Sequence, residues 1–307
     1  MAQRVFVTGA SGFVGSAVVR ELAGRSFAVN ALTRRENPAK IAGDIREVRG
    51  DLSESAVLDE GLRDCAAVIH LVGIIMEIPS KGVTFQRIHV DGTRSVLDAA
   101  CRAGIKRYIH MSALGTRAGA RSDYHKTKWQ AEELVRASGL DWTIIRPSMI
   151  HGSGGFMSME AKWARKQAPP FLFMPYFGAG LLGLGGAGRL QPVYVNDVAR
   201  AFVDAIGNPK ASGKTYDLGG SEQVIWPEMH KACARAIVGK NRLTMPIPAW
   251  YAKMIAAILP GSILPFNRDQ VVMSQEDNTC DLTEFKKDFG WEPAGFQKSL
   301  SEYAQAL

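Results

Sequence analysis

The chain has 307 residues, 46% hydrophobic and 22% charged, which excludes a disordered or fibrous polypeptide and suits one α/β domain with an appended part, or two domains. Its formal charge of +7, from 37 Lys and Arg against 30 Asp and Glu, attracts anions, but no long Lys/Arg run marks a nucleic-acid partner. Cys65, Cys101, Cys233 and Cys280 form no C-x-x-C pair, and no apolar run reaches the roughly 18–20 residues of a membrane span. The expectation is therefore reduced thiols in the cytoplasm, with no disulfide framework and no metal site. A first strand by about residue 4 leaves no room for a leader peptide, so none is expected.

Val5-Phe6-Val7 is a short β-type run that leads into Thr8-Gly9-Ala10-Ser11-Gly12-Phe13-Val14-Gly15. Val14, Val18, Val19 and Leu22 then recur at helical spacing. Strand, glycine turn and helix in this order open a dinucleotide-binding unit. The first glycine permits the turn, the second lets backbone N–H groups approach a pyrophosphate, and the third lets the helix pack closely. A second strand, Phe27–Leu32, ends at Thr33-Arg34-Arg35. An acidic residue here would hold the ribose of NAD, and the nearest is Glu36. Two guanidinium groups suit a 2′-phosphate instead, so NADP(H) is expected over NAD(H).

Glu47–Leu52 reads as a strand ending in Asp51-Leu52, with Asp51 also placed to cap a helix from Ser53. Ala67–Gly73 is a continuous apolar run of the kind that forms a buried parallel strand, with His70 packed or hydrogen-bonded near its end. A helix is expected over Ile88–Ala100 and a fifth strand over Tyr108–Ala113. Tyr124 and Lys128 then stand four apart at the start of a helix and share one face. A sixth strand, Trp142–Ser148, closes the first half.

The second half changes character. Residues 169–188 are apolar, rich in Gly and Pro, and irregular by composition: a lid over an apolar substrate, a loop touching a membrane or partner, or a strand-loop packed on the core. A helix with Asp197 in its first turn and a strand near Thr215–Leu218 follow. Helices are expected around 227–238 and 247–259, the second buried or lying in a membrane interface, with burial preferred. Short packed helices are expected from Leu282.

Thr-Gly-x-x-Gly-Phe-x-Gly resembles the short-chain dehydrogenase/reductase superfamily in its extended and atypical branches. The segments His70–Ile75, Ile109–Gly115, Ile145–Ser148, Gln191–Val195 and Asp217–Gly220 resemble atypical reductases related to the nucleotide-binding accessory subunit of respiratory complex I and to proteins of quinone biosynthesis. The resemblance implies a Rossmann fold, a doubly wound parallel sheet with helices on both faces. The core would be 1–152, with a return segment about 190–208, and 153–307 would be a smaller substrate or lid region.

It also implies roles for particular residues. Thr8, Gly9, Ser11, Gly12, Phe13, Val14 and Gly15 would cradle the pyrophosphate, and Arg34 and Arg35 the adenosine end. Asp51 and Leu52 would meet adenine. Leu71, Val72, Gly73 and Pro147 would line the nicotinamide side. Tyr124 would exchange a proton with an alcohol or carbonyl, and Lys128 would favour the phenolate and hold the nicotinamide ribose. Ser112 is the candidate hydroxyl partner, although the best-aligned position is Ala113, which has none. His89 stands where the family often has Asn.

The reading that follows is an NADP-dependent oxidoreductase acting on an apolar, quinone- or isoprenoid-like carbonyl or alcohol. The alternatives are a non-catalytic NADPH-holding accessory or assembly protein and a nucleotide-sugar epimerase or dehydratase. Residues 169–188 and 248–259 are candidate contacts with a membrane, at its inner face, or with a protein complex.

Overall fold

The apolar run at the start of the chain forms β1 (Arg4–Thr8), which lies inside a seven-stranded sheet. The others are β2 (Ala28–Thr33), β3 (Ile45–Arg49), β4 (Cys65–His70), β5 (Arg107–Met111), β6 (Asp141–Pro147) and β7 (Lys214–Leu218). The order is β7-β6-β5-β4-β1-β2-β3, and every pairing is parallel. This is a Rossmann-like α/β sheet, as the sequence predicts. The computed structural model describes residues 3–34, 43–259, 264 and 266–307, so Arg35 and Glu36 lie outside the described residues.

The chain divides into two units. The first comprises 1–147, 195–218 and 282–291, and holds the sheet. On one face lie α2 (Ser55–Gly61), α3 (Gly92–Arg102) and α4 (Asp123–Arg136), each against the next. Phe6, Val68 and Tyr108 form a row across β1, β4 and β5, and pack with Leu58, Val96 and Val135. On the other face α1 (Phe13–Gly24) packs on α5 (Val195–Ile206). Val5, Val7, Ile69 and Ile109 are fully buried, as strands covered on both faces require. In α6 (Thr283–Phe289), Asp288 accepts from Lys214 Nζ and the Tyr216 hydroxyl, both at 2.7 Å.

Several strands stop short of their expected ends. β4 ends at His70, opposite Thr8, because β1 turns there into the glycine loop. Leu71, Val72 and Gly73 therefore lie beyond the strand. β3 ends at Arg49, where Gly50 (φ +155°) turns the chain and carries Asp51 and Leu52 into a loop. β5 ends at Met111, leaving Ser112 just past it. The helix expected from Ile88 begins with a π-helical turn, Gln86–Asp91, that runs into α3.

The second unit comprises 148–194, 219–281 and 292–307. Its core joins Met157, Met229, Cys233, Phe296 and Leu300 from three helices, Phe156–Ala164, Trp226–Val238 and Phe296–Tyr303. Part of 169–188 is a strand, as the strand-loop alternative has it: Met174–Gly178 finds a parallel partner in Thr244–Pro248, about seventy residues on and invisible to local pattern. One expectation fails here. The helix expected to be buried spans Ala249–Ile258 and exposes Trp250, Tyr251, Met254 and Ile258. Only its alanine side is covered.

Candidate functional site

After β1 the chain runs to α1 and β2 on one side; after β4 it runs to β5 on the other. The crevice at this switch is where open α/β sheets bind ligands. The glycines shape it. Gly9 has φ +73°, a conformation costly for any residue with a Cβ, and its carbonyl accepts from Gly12 N at 3.0 Å. A Cβ on Gly15 would stand 2.0 Å from Gly9 O and 2.8 Å from Ala10 Cα. The third glycine thus lets α1 begin directly on the turn. No side chain caps α1, whose N-cap is Gly12, so its first-turn N–H groups have no intrahelical or side-chain acceptor. Ser11 and Gly12 are exposed, Phe13 half-buried, and Thr8, Val14 and Gly15 buried.

At the end of β2, Arg34 is exposed, while Thr33 is buried and its hydroxyl has no hydrogen-bond partner among the described residues. Asp51 turns its carboxylate onto its own loop, where Oδ1 accepts from Ser53 N at 3.1 Å and Ser53 Oγ at 3.0 Å. Leu52 packs into the core, where its Cδ1 would meet a Cβ on Gly92 at 2.8 Å. Of the adenine candidates, Leu52 therefore offers only its backbone.

His70 is a structural residue. It lies buried between Thr8 Oγ1, 2.7 Å from Nδ1, and Thr93 Oγ1, 3.1 Å from Nε2. Thr93 donates its own proton to His89 O at 2.6 Å, so it accepts from Nε2–H, and Thr8 donates to Nδ1. Burial, then the Lys128 charge, lowers the His70 pKa to about 3, in keeping with this neutral ring.

The π-helical turn presents His89 to the segment after β4. Thr127 Oγ1 donates to the carbonyls of Asp123 and Tyr124, so His89 Nδ1–H donates to Thr127 at 2.9 Å. Nε2 then accepts from Ile74 N at 3.1 Å. His89 ties this loop to α4, with its pKa pushed down to about 2 by burial and by Lys128. The ring stacks on Phe85 at 5.3 Å and meets the Tyr124 ring edge-on at 5.4 Å.

Ser122 caps α4 by accepting from His125 N, which sets Tyr124 in its first turn and Lys128 one turn on. Lys128 is buried, and its ammonium donates to Met111 O at 3.0 Å, at the end of β5. A Cβ on Gly73 would lie 3.0 Å from Lys128 Nζ. Burial lowers the Lys128 pKa to about 8, against the upward pull of Glu132. Glu132 is fully buried and bidentate to Arg146 at 2.7 Å, with Arg136 at 2.6 Å. Burial pushes the Tyr124 phenol up to about 12.

The fold therefore brings Tyr124, Lys128, His89 and Gly73 together. Ser112 is buried just past Met111, and its hydroxyl lies 3.4 Å from Thr116 Oγ1. Pro147 is buried at the end of β6 and accepts from Leu114 N at 2.9 Å through its carbonyl. Sequence reasoning missed Thr116, Thr127, Phe85 and Glu132. Only Glu132 carried a signal, at i+4 from Lys128 and i−4 from Arg136. The other three meet the site through residues distant in the chain or through turn geometry.

Three comparisons with known proteins fit this geometry. The NAD(P)H-binding domain family matches residues 9–155. The mitochondrial 40 kDa subunit of NADH-ubiquinone oxidoreductase from Neurospora crassa is 26% identical over 310 residues, covering 98% of this chain and 78% of that protein. A ceramide reductase from Caulobacter vibrioides is 28% identical over 241 residues, covering 78% of this chain and 72% of that protein. The solved structure of MoeE5 in complex with UDP-glucose and NAD matches with a TM-score of 0.74 at 23% identity, covering 98% of this chain and 97% of that one. The residues present fit a pyridine nucleotide. The glycine cradle admits no Cβ at Gly15, and the orphaned Thr33 hydroxyl stands where the first βαβ unit places an adenosine ribose.

Proposed function

We propose that this chain, whose residues 9–155 match the NAD(P)H-binding family and whose motifs resemble the short-chain dehydrogenase/reductase superfamily, is an NADPH-dependent reductase of an apolar, quinone- or isoprenoid-like carbonyl compound. The bound nucleotide supplies the hydride. The glycine turn and the α1 N-terminus would hold its pyrophosphate, with Thr33, Arg34 and Arg35 at the adenosine end and Lys128 at the nicotinamide ribose. Tyr124 would donate the proton to the carbonyl oxygen.

The observation that carries this reading is the Lys128 ammonium, held on Met111 O one helical turn from Tyr124. A cation near that place would stabilise the phenolate left after proton transfer, and a protonated phenol can serve as the general acid of a reduction. Support for NADPH comes from Arg34 and from the lack of an acid at Thr33–Arg35. Support for an apolar substrate comes from 169–188, which holds no charged residue, and from the relative named a ceramide reductase. Ser112 stays the candidate hydroxyl partner of Tyr124, with its Oγ 3.4 Å from Thr116 Oγ1.

The test is Tyr124→Phe, with NADPH binding followed by fluorescence and turnover followed as NADPH oxidation with quinones and isoprenoid aldehydes. Turnover should fall by about 10²–10⁴ with NADPH affinity unchanged, the range expected for a lost general acid. A second reading, an accessory protein that only holds NADPH, is favoured by the absence of a hydroxyl at Ala113 and by the complex I relative. It wins if the wild-type protein purifies with NADPH that no carbonyl compound oxidises, nucleotide sugars included.

A further inference from the structure

The helix Ala249–Ile258 is built inside out. Its packed side is small: Ala249 and Ala252 lie with Val271 against Phe177, Ile247 and Phe266. Its other side carries Trp250, Tyr251, Met254 and Ile258, 43–72% exposed. Positions i, i+1, i+4 and i+8 share one helical face, so this exposure forms a patch and is not scattered.

The loop after Met174–Gly178 enlarges the patch. Leu181, Leu182 and Leu184 are 69–77% exposed on a run of glycines. Trp250 Nε1 donates to Leu181 O at 3.0 Å, and Gly183 lies so close to the strand before the helix that a Cβ would meet Pro248 N at 3.1 Å. Loop and helix are thus one surface of the second unit. It presents leucines at a loop tip beside a tryptophan and a tyrosine, whose rings each have an apolar body and a polar atom.

Charge selects the occupant. Residues 161–189 and 229–268 carry ten Lys and Arg and no Asp or Glu. Of these cations, Lys253 is on the inside-out helix itself, and Arg165, Lys166 and Lys240 are exposed. Apolar tips with a lysine on the same helix, in a chain of net charge +7, match a bilayer whose headgroups are negative and whose acyl boundary accepts leucine, with Trp and Tyr at the headgroup level. Among the described residues no helix is long and apolar enough to cross a membrane, which makes the contact an interfacial one.

We propose that the surface formed by the 179–186 loop and the outer face of Ala249–Ile258 docks on an anionic lipid bilayer. This does not depend on the proposed reaction, and a catalytically silent protein that binds vesicles leaves it standing. The test is co-sedimentation of the full chain with vesicles of phosphatidylcholine, with and without phosphatidylglycerol. The wild type should sediment with the anionic vesicles and be released by salt. The combined Leu181→Ser, Leu182→Ser and Leu184→Ser variant should bind at least about tenfold more weakly, with NADPH affinity and melting temperature unchanged, because those side chains touch mainly water. Blue-shifted Trp emission on adding anionic vesicles should shrink in Trp250→Phe.

A wild type that stays in the supernatant with anionic vesicles overturns the proposal. So does a triple variant that binds like wild type. A concentration-dependent dimer that the triple variant abolishes, without vesicle binding, overturns it in favour of a second copy of the chain.

Discussion

Two helices of this protein break the rule of polar outside and apolar inside, in opposite directions. α4 buries Lys128, Glu132 and His125. Ala249–Ile258 turns Trp250, Tyr251, Met254 and Ile258 to water. The difference is where the compensation lies. Each inverted residue of the pair Lys128 and Glu132 meets its partner within the chain: Met111 O for one, Arg136 and Arg146 for the other. Among the described residues, the outward residues of the second helix make the Trp250–Leu181 bond and a Trp250–Tyr251 ring contact, and their apolar area faces solvent. Internal compensation marks a group held for chemistry or for the fold. Missing compensation marks a surface meant for something outside it.

The comparison breaks most visibly at Glu132. Truncating it to alanine leaves Arg146 and Arg136 without their carboxylate and should destabilise the chain by about 3 kcal/mol, measured by urea unfolding. The same change removes the only group that raises Lys128, whose pKa should fall below about 8. An unfolding free energy within about 0.5 kcal/mol of wild type would mean that α4 is no better compensated than the outer helix.

The pH dependence comes next. Lys128 titrates near 10.5 unfolded and about 8 folded, so between those values the unfolded chain binds more protons. Its burial therefore weakens the fold fully below pH 8, and the penalty lifts as pH rises from 8 to 10.5, by roughly 3 kcal/mol. Wild-type stability measured against Lys128→Met should climb across that window. A flat difference would place the ammonium in water.

Thr33→Val sharpens the same contrast inside the cradle, where a buried hydroxyl lacks a described partner. Without nucleotide the variant should be as stable as wild type or about 1 kcal/mol more stable, while NADPH binds more weakly. A stability loss with unchanged affinity would show that the hydroxyl has an internal partner. The smallest effect is expected for Met254→Ser, within about 0.5 kcal/mol of wild type in thermal melts, because its side chain is half in water already.

Much of the first unit was legible. The glycine turn, the alternation of apolar strands with helices, and the Tyr124–Lys128 spacing all depend on residues within one turn or one strand–turn–helix unit. The strand ends were less legible, since β4 stops where β1 leaves it and not where its own apolar run stops. The role of His89 was legible only in part. Its place suggested a hydrogen bond to the backbone, but Ile74 and Thr127 as partners come from two other segments. In the second unit the pairing of Met174–Gly178 with Thr244–Pro248 had no local sign at all.

The sequence alone determined the class of fold, the glycine cradle and the helical face shared by Tyr124 and Lys128, because these follow from steric and periodic constraints between neighbours in the chain. Only the tertiary structure decided what those residues experience. Burial depth pushes Lys128 down and Tyr124 up. Thr116 Oγ1 lies 3.4 Å from the Ser112 hydroxyl. The helix Ala249–Ile258, apolar but for Lys253, packs Ala249 and Ala252 against Val271 and Phe177 and turns Trp250, Tyr251, Met254 and Ile258 outward. Charge and hydropathy are written in the chain, but the medium around each group is set by what packs against it.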